Sequence, residues 1–586
     1  MQKVFRCMEQ REWLFLIFSV FLLIAQVALD LKIPDYMGTV TMLVQTQGST
    51  LQEILEAGAM MLSCSLGSLA LTLIVTYFAA QIATTVARKL RKMVYDKTIS
   101  YSAADINNFS IPSLITRCTN DITQVQSFLS IGFIALVRAP LMLIWASYKI
   151  YSKNLTFTIV TVGFVVSLLV VIFTLLKLTI PKSKRVQTLT DALNTVTREH
   201  LTGIRVVRAY NAEAFQEDKF KVVNEDVTNT TTFINRAMGI MSPFMTFLMS
   251  ALTLSIYWIG AFIINQASAA DKLVIFSDMV VFTSYAMQII MAFMMLTMLL
   301  MLMPRTMVVL ERIAEVLDHC NVIKEGNSFG LVSTSNVAVE FRNVSFSYNT
   351  SKHDEMVLKD VSFKVDKGET LAFIGATGSG KSTIIQLLLR NYDVCSGEIF
   401  VDGVNIKDYT QETLQDKFGY VPQKATLFSG DVRSNVAYCE KLGCSVNSEQ
   451  LKKAVYIAQA EDFVNTIGLE GAVAQGGLNL SGGQKQRLSI ARALYKQAPI
   501  YLFDDCFSAL DYRTDFKLRD AISKQLSNAT KIYVAQRIST VKDAHQIIVL
   551  ENGEVAGCGT HAQLLNDCSI YQEIVASQLS SAEAAI

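Results

Sequence analysis

Residues 375–382, Gly375-Ala376-Thr377-Gly378-Ser379-Gly380-Lys381-Ser382, decide the fold of the second half of this chain. They match the pattern G-x-x-x-x-G-K-S, the phosphate-binding loop. A short apolar run of β type (370–374) precedes the motif, and a helical pattern (383–389) follows it. Strand, glycine loop and helix start form the context such a loop requires, because backbone N–H groups and the helix dipole attract phosphate oxygens.

The same stretch predicts a nucleotide site that contains a cation. Lys381 can reach the β- and γ-phosphates, and the Ser382 hydroxyl can hold Mg²⁺. The plainer alternative is a glycine turn beside an unrelated lysine, and the flanking strand and helix argue against it. We therefore expect ATP and Mg²⁺ as cofactors, with the rest of the loop supplied by Gly375, Thr377, Gly378, Ser379, Gly380 and Thr383.

Length and composition indicate a membrane protein with several domains. At 586 residues the chain is too long for a single core, and charged residues make up only 18% of it, against about 25% in soluble domains. A net charge of +1 gives no reason to expect a nucleic-acid partner. None of the ten cysteines forms a C-x-x-C pair and the five histidines show no ligand spacing, so no zinc site is expected.

Long apolar runs predict an α-helical membrane domain of six spans within residues 1–320. A helix needs about 20 apolar residues to cross the hydrocarbon core. The third run is the weakest, because Arg138 and Pro140 interrupt it, and a buried soluble helix is the alternative there. The predicted spans lie near residues 13–30, 57–80, 129–148, 155–177, 237–264 and 273–303.

The distribution of lysine and arginine predicts the orientation of these spans. The segments 88–121 and 177–236 are long and basic, whereas the other connections are short or poor in positive charge. By the positive-inside rule the basic segments are cytoplasmic. We therefore expect a multi-pass protein of the cell membrane, in contact with lipid, with both termini in the cytoplasm. Helical pattern continues through 81–97 and 184–210, so the helices should extend into the cytosol.

Four charged residues lie in or near the apolar runs. Lys149 and Lys177 are close to span ends, where their long side chains can reach the membrane surface. Arg138 and Asp278 are more central, and two roles stay open for them: lining a substrate pathway or structural pairing.

The sixth span also carries a methionine stripe at helical spacing, which could line a cavity or simply pack against other helices or lipid. The stripe consists of Met287, Met291, Met294, Met298 and Met301.

The second half predicts an α/β nucleotide-binding domain over 337–578, after a linker at 321–336 and before a short tail at 579–586. A strand pattern at 337–348 opens it, and Gln423 follows a short apolar run. A long helix is opened by Ser481, Gly482, Gly483 and Gln484. A buried strand at 500–504 ends in Asp504, where a carboxylate that supports Mg²⁺ belongs.

These motifs, in this order, resemble the ATP-binding-cassette (ABC) family, and specifically one half of an ABC exporter. The resemblance implies that Tyr348 stacks on adenine and that Gln423 senses Mg²⁺ and the membrane domain. It implies that residues 481–484 form the signature motif, which closes on the nucleotide of the opposite subunit, and that Asp511 ends a loop at that interface. It also implies that 102–121 and 203–220 couple the two domains.

Two departures from the family pattern carry the most information. Asp505 stands where hydrolysing members have glutamate, and Gln536 stands where they have histidine. These changes resemble the degenerate half of heterodimeric bacterial exporters, so we expect weak hydrolysis at this chain's own site and a second half-transporter as partner. An ATP-gated regulator or channel and a slow homodimeric pump stay open. The substrate is expected to be a small amphipathic, drug-like compound, with lipid and peptide as alternatives.

Overall fold

The computed structural model describes residues 8–46, 48–151, 155–267, 269–326, 335–348, 356–440 and 446–578. The chain divides into two compact units. The first comprises Met1–Ile99 and Ile111–His319, and the second comprises Ser100–Ser110 and Cys320–Ile586. Residues 327–334 of the predicted linker and the whole predicted tail lie outside the described residues.

The first unit is helical. In its described part, six helices are long and apolar enough to cross a membrane, and the predicted six-span class is confirmed. Some of these six membrane-length segments consist of several consecutive helices. In chain order the individual helices are α1 (Gln10–Gln45), α2 (Leu51–Ile99), α3 (Ala103–Phe109, in the second unit), α4 (Ile111–Thr116), α5 (Ile122–Ser127), α6 (Phe133–Tyr151), α7 (Leu155–Thr202), α8 (Ile204–Ala209), α9 (Glu213–Gly239), α10 (Met241–Gln266) and α11 (Ala269–Asp318).

The third span is wound irregularly. Two π-helical segments, Arg117–Asp121 and Phe128–Gly132, separate α4, α5 and α6, and Pro140 lies inside α6. Proline removes one backbone hydrogen bond and crowds the preceding turn, and neighbouring helices make this tolerable in a membrane. The segment Ile111–Tyr151 is long and apolar enough to cross a membrane, which favours the predicted span over a buried soluble helix. Helix α2 continues to Ile99 as predicted, whereas α7 ends at Thr202 and α8 follows it, so the predicted extension through residue 210 is interrupted.

Ion pairs between helices neutralise two of the predicted membrane charges. Arg138 on α6 lies 2.9 Å from Asp30 of α1, and Lys149 lies 2.7 Å from Asp35 of α1. The Tyr285 hydroxyl of α11 also donates to Asp35 Oδ1 over 2.7 Å. Charges inside a bilayer are tolerated when they are paired in this way. Structural pairing is thus confirmed for Arg138, and Lys149 is bound to a partner rather than simply extended to the surface.

The methionine stripe is split by the packing of α11. Met287 and Met291 line a cavity inside the first unit, and Met294 and Met298 are not among its lining residues. The side chain of Met301 lies outside the described part of the chain. The prediction that the whole stripe faces one cavity therefore holds for its first half only.

The described part of the second unit is built on three sheets. The strands are β1 (Val337–Phe346), β2 (Leu358–Asp366), β3 (Thr370–Gly375), β4 (Ser396–Val401), β5 (Val404–Asn405), β6 (Phe418–Val421), β7 (Gly430–Asp431), β8 (Ala472–Val473), β9 (Ile500–Asp504), β10 (Thr530–Val534), β11 (Gln546–Glu551) and β12 (Glu554–Gly559). The largest sheet has the order β12-β11-β3-β10-β9-β6, the second has the order β2-β1-β4-β5, and β7 pairs with β8.

Helices cover the largest sheet and leave two buried apolar clusters against it. The helices are α12 (Lys381–Leu388), α13 (Gln411–Asp416), α14 (Val432–Val436), α15 (Ser448–Ile457), α16 (Glu461–Ile467), α17 (Gly482–Tyr495), α18 (Tyr512–Gln525), α19 (Ile538–Val541), α20 (His561–Asp567) and α21 (Ser569–Gln578). A 3₁₀ turn, Gln475–Gly477, precedes α17.

Parallel strand order brings the predicted site residues to one edge. Strand β10 pairs in parallel with both β3 and β9, so the carboxyl ends of these three strands meet. Gly375 ends β3, Asp504 ends β9 and Val534 ends β10. Ligands of open parallel sheets bind outside such ends, and this edge therefore positions the candidate site.

A short segment from the first part of the chain belongs to the second unit. Residues Ser100–Ser110, which contain α3, cluster with Cys320–Ile586. Asn107 donates to the Tyr392 hydroxyl over 3.1 Å, and Asn321 donates to the Ser100 carbonyl over 2.7 Å. The ring of Tyr101, which precedes α3, stacks on the ring of Phe109, the last residue of α3, with centroids 5.6 Å apart.

Candidate nucleotide site

The glycine loop begins at Gly375, the last residue of β3, and runs into the first turn of α12. Gly380 caps α12 with φ of +96°, and a Cβ there would lie 2.6 Å from Leu358 Cδ2. Gly378 has φ of +86° and open space where a Cβ would stand. Glycine adopts left-handed backbone more readily than any residue with a Cβ. These two positions therefore need glycine for conformation, and Gly378 leaves room for a ligand to approach the backbone.

Lys381 places its ammonium group at the centre of the loop. Its Nζ donates to the Gly375 carbonyl (2.9 Å), the Ala376 carbonyl (2.7 Å) and Ser379 Oγ (3.3 Å). Burial lowers the pKa of Lys381, and the nearby carboxylates of Asp505 and Asp504 oppose that shift. A buried cation beside exposed backbone N–H groups is suited to phosphate.

Ser382 and Asp504 form an oxygen pair behind the loop. Ser382 Oγ donates to Asp504 Oδ1 over 2.7 Å. Asp504 is only 4% exposed, and burial raises the pKa of its carboxyl. Hydroxyl and carboxylate oxygens suit Mg²⁺, which keeps waters and substrate phosphates as its other ligands. In the described residues no cluster of three or more His, Cys, Asp or Glu could hold a metal alone, so these residues fit a cation that arrives with a nucleotide.

Asp505 is held by two amides on a single oxygen. Gln423 Nε2 donates to Asp505 Oδ2 over 3.2 Å, and Gln536 Nε2 donates to the same atom over 2.9 Å. The backbone of Asp505 is left-handed, with φ of +43°, a conformation that aspartate adopts more readily than most residues. Burial raises the pKa of this carboxyl as well. The three side chains form a connected polar group across the edge of the sheet.

A cavity of about 330 Å³ joins most of the predicted residues. Two apolar residues, Val357 and Val534, also contribute to its wall and were not predicted. The predicted residues that line it are Tyr348, Thr377, Gly378, Gly380, Lys381, Ser382, Thr383, Gln423, Asp505 and Gln536. Gly375, Ser379 and Asp504 lie behind this surface, in contact with Lys381 or Ser382.

Tyr348 forms one end of the cavity. Its ring is half exposed, and its hydroxyl lies 3.1 Å from Thr383 Oγ1. The rings of Phe346 and Tyr392 meet it edge-on, with centroids at 4.9 Å and 5.0 Å. Edge contacts fix the plane of the ring and leave a face for stacking. The geometry suits a purine base.

The signature residues lie apart from this cavity, at the start of α17. Ser481 caps the helix: its hydroxyl accepts from the Gln484 N–H at 3.3 Å, and Gln484 Oε1 accepts from the Ser481 N–H at 2.9 Å. Gly482 and Gly483 form the first turn. Glycines at a helix N-terminus leave backbone N–H groups open to a phosphate. Asp511 caps α18 in the same way, accepting from the Thr514 N–H at 2.9 Å.

Comparison with known proteins agrees with this geometry. The family profile described as the ABC transporter transmembrane region matches residues 16–293, and the ABC transporter profile matches 358–508. An uncharacterized ABC transporter ATP-binding protein of Mycobacterium tuberculosis is 36% identical over 538 residues, 90% of either chain. An ATP-dependent lipid A-core flippase of Idiomarina loihiensis is 30% identical over 515 residues, 86% of this chain and 85% of that protein.

Solved structures show the same architecture. The structure of a bacterial Atm1-family ABC exporter with ATP bound matches 98% of this chain and 99% of that chain, with a TM-score of 0.81 and 23% identity. With the six-helix unit, the phosphate loop and these matches, the chain belongs to the ABC transporter family. Its domain arrangement is that of a half-transporter, with one transmembrane region followed by one ABC domain.

Proposed function

We propose that this chain is the degenerate-site subunit of a heterodimeric exporter of the cell membrane, with both termini in the cytoplasm. In this proposal its own site binds ATP and Mg²⁺ and hydrolyses ATP weakly. Its signature motif completes the site of a second half-transporter, and turnover occurs there. The transported substrate is a small amphipathic compound that enters from the membrane or the cytosol.

The observation that carries the proposal is the environment of Asp505. Aspartate is one methylene shorter than glutamate, about 1.5 Å of lost reach, and a 1 Å misplacement can cost about a hundredfold in rate. Its Oδ2 already accepts from both Gln423 and Gln536. Glutamine donates a hydrogen bond but cannot carry the positive charge that histidine can. Binding of nucleotide is thus supported, and activation of water is not.

The signature motif supports the other half of the proposal. Ser481 and Gln484 form a complete cap, and the glycines between them are present. Nothing in this local geometry departs from a helix start that receives phosphate. A subunit whose partner hydrolyses ATP has to supply an intact signature motif, and it does not need an effective base in its own site.

Two substitutions measured by ATPase activity of the co-purified pair test this asymmetry. Ser481→Arg should nearly abolish turnover, although it changes nothing in this chain's own loop. Asp505→Asn should change total turnover by less than about twofold, because removing a base costs 10²–10⁴ only where chemistry passes through it. Loss in Asp505→Asn with near-normal Ser481→Arg would reverse the assignment. Loss in both variants would indicate two equivalent sites and a homodimer.

A lipid substrate is the second candidate, because the Idiomarina loihiensis relative is described as a lipid A-core flippase. An ATP-gated regulator or channel is the alternative to a pump. Accumulation against a gradient in inside-out vesicles distinguishes a pump from a channel, since a channel only equilibrates its solute. A fluorescent phospholipid and a drug-like dye assayed in the same vesicles distinguish the two substrate classes.

A further inference from the structure

A methionine-rich cavity lies among the membrane helices of the first unit. It has a volume of about 450 Å³ and is walled by α1, α6, α10 and α11. Ligand cavities usually measure about 300–1,000 Å³. Its apolar wall is dominated by methionine from three different helices: Met142, Met249, Met287, Met291 and Met295. Thioether side chains are flexible, and their sulfur makes favourable contacts with aromatic rings.

The charges in the wall cancel each other. Arg138 Nη2 lies 2.9 Å from Asp30 Oδ2, and Ser68 Oγ donates to the other oxygen of that carboxylate. A charged ligand would have to break this pair or be buried without a counter-ion, and both are costly in a medium of low polarity. The cavity therefore selects against ligands with a net charge.

Gln288 gives the cavity one unused hydrogen-bond acceptor. Its Nε2 donates to the Asp30 carbonyl over 3.3 Å, which orients the side chain. Its Oε1 is buried, and within the described part of the chain it has no hydrogen-bond partner. A buried acceptor without a donor is unfavourable. A ligand that brings an N–H or O–H group would remove this cost.

We propose that this cavity binds a net-uncharged aromatic molecule that carries at least one N–H or O–H donor. The ring contacts the methionine thioethers, and the donor bonds to Gln288 Oε1. This inference names the substrate class of the exporter proposed above and rests on that function for its biological meaning. The binding site itself follows from the methionines, the neutral ion pair and the unpaired acceptor.

Four radiolabelled probes of one ring system test the inference by equilibrium binding. The full chain with its partner half is placed in lipid nanodiscs, and empty nanodiscs correct for partitioning into lipid. 1-Naphthol carries a donor, and 1-methoxynaphthalene does not. We expect 1-naphthol to bind about 3- to 10-fold more tightly, the range of one net hydrogen bond. The anion 1-naphthoate and the cation 1-naphthylmethylammonium should show no saturable binding. Equal affinity of the first two probes, or tighter binding of either ion, would overturn the inference.

Variants of α11 assign the effect to the cavity. Gln288→Leu should erase the preference for 1-naphthol and leave 1-methoxynaphthalene binding unchanged. Met291→Leu should weaken both probes by a similar factor, and Met294→Leu is the matched control because Met294 does not line the cavity. If Gln288→Leu does not fold, Gln288→Glu provides the test. This variant should still prefer 1-naphthol over 1-methoxynaphthalene, and it should gain affinity for 1-naphthylmethylammonium. A preference that survives Gln288→Leu, or a cation still excluded by Gln288→Glu, would contradict the assignment.

A separate readout distinguishes this inference from the proposed function. ATP-dependent accumulation of 1-naphthol is measured in inside-out vesicles that contain the same pair. Donor-dependent binding without accumulation upholds the site and counts against export. Accumulation without a donor preference upholds export and rejects the site. Saturable binding of a fluorescent phospholipid, with no saturable binding of 1-naphthol, would also reject the site.

Discussion

The side-chain amide of Gln536 donates to Oδ2 of Asp505 over 2.9 Å. One residue comes just after β10 and the other just after β9, and these strands are neighbours in the sheet. In the family pattern the two positions hold histidine and glutamate, which prepare water for attack. Here the two side chains bond to each other. The Gln536 amide and Asp505 Oδ2 are therefore engaged with one another instead of with a water molecule.

This relationship predicts a gain of activity on restoration. In the Ser481→Arg background, in which the partner's site is blocked under our proposal, the double change Asp505→Glu and Gln536→His should raise the remaining ATPase activity about tenfold or more. Glutamate extends the carboxylate toward the cavity, and histidine supplies a cationic donor. Each single change is the matched control and should give a smaller rise. If the ATPase activity of the double variant did not rise, residues other than Asp505 and Gln536 would limit hydrolysis at this site.

Lys381→Ala should weaken nucleotide binding at this chain's own site by about 10- to 100-fold, the range for losing a charged hydrogen bond. The ammonium group is the only side-chain cation in the described wall of the cavity. Photolabelling of this chain with an ATP analogue measures the effect, and Lys364→Ala, on an exposed position of β2, is the control. Unchanged labelling of the Lys381→Ala chain would remove the loop from the binding site.

The buried carboxyl of Asp504 predicts a stability cost that depends on pH. Burial raises its pKa in the folded protein, so the folded state binds more protons than the unfolded chain between the ordinary carboxyl pKa of about 4 and the raised value. Stability contributed by this group is complete below that window and is lost as pH rises through it. Asp504→Asn should therefore raise the melting temperature of the nucleotide-free protein at neutral pH.

The gain from Asp504→Asn should shrink as pH falls toward 4, and Mg²⁺-dependent ATP binding should be lost at every pH. Thermal unfolding at several pH values measures the first effect. Asp360→Asn, on a carboxyl of β2 that faces solvent, is the control. If Asp504→Asn raised the melting temperature by the same amount at pH 4 and at pH 7, ionisation of Asp504 would not be the source of the gain.

The Arg138–Asp30 pair should matter more to stability than an exposed pair of the same kind. Arg138→Met leaves Asp30 without its counter-ion, and breaking a buried pair costs about 3–5 kcal/mol. Adding Asp30→Asn should recover most of that loss, because no unpaired charge then remains. Lys219→Met, which breaks the exposed pair with Glu199, should cost less than about 1 kcal/mol. The free energy of unfolding of each detergent-solubilised variant measures these losses. Equal losses for both pairs would contradict this account.

The sequence was sufficient wherever a short motif determines its own geometry. The loop at Gly375–Ser382 and the cap formed by Ser481 and Gln484 depend on residues three to seven positions apart. Pairing between membrane helices could not be obtained in this way. Arg138 and Asp30 are 108 residues apart, and Lys149 and Asp35 are 114 apart. Only the packing of α1 against α6 decides which acid meets which base.

Helical spacing also does not decide which of two adjacent residues continues a stripe along one face of a helix. A stripe continued from Met291 to either Met294 or Met295 satisfies a 3.6-residue period equally well. The structure turns Met295 into the cavity and leaves Met294 outside its wall. The π-helical turns before α6 were equally unpredictable, because no residue type specifies them. A lone acid inside an apolar run, such as Asp30, was the available signal that a basic partner lies nearby.

The membership of Ser100–Ser110 in the second unit has a practical consequence for biochemistry on isolated domains. A fragment that begins at Cys320 leaves the Tyr392 hydroxyl without Asn107 and the Asn321 amide without the Ser100 carbonyl. Tyr392 also braces Tyr348 at the end of the nucleotide cavity. A soluble fragment made for calorimetry or crystallisation should therefore carry residues 100–110 in trans or by fusion, because without them its adenine end lacks one of its supports.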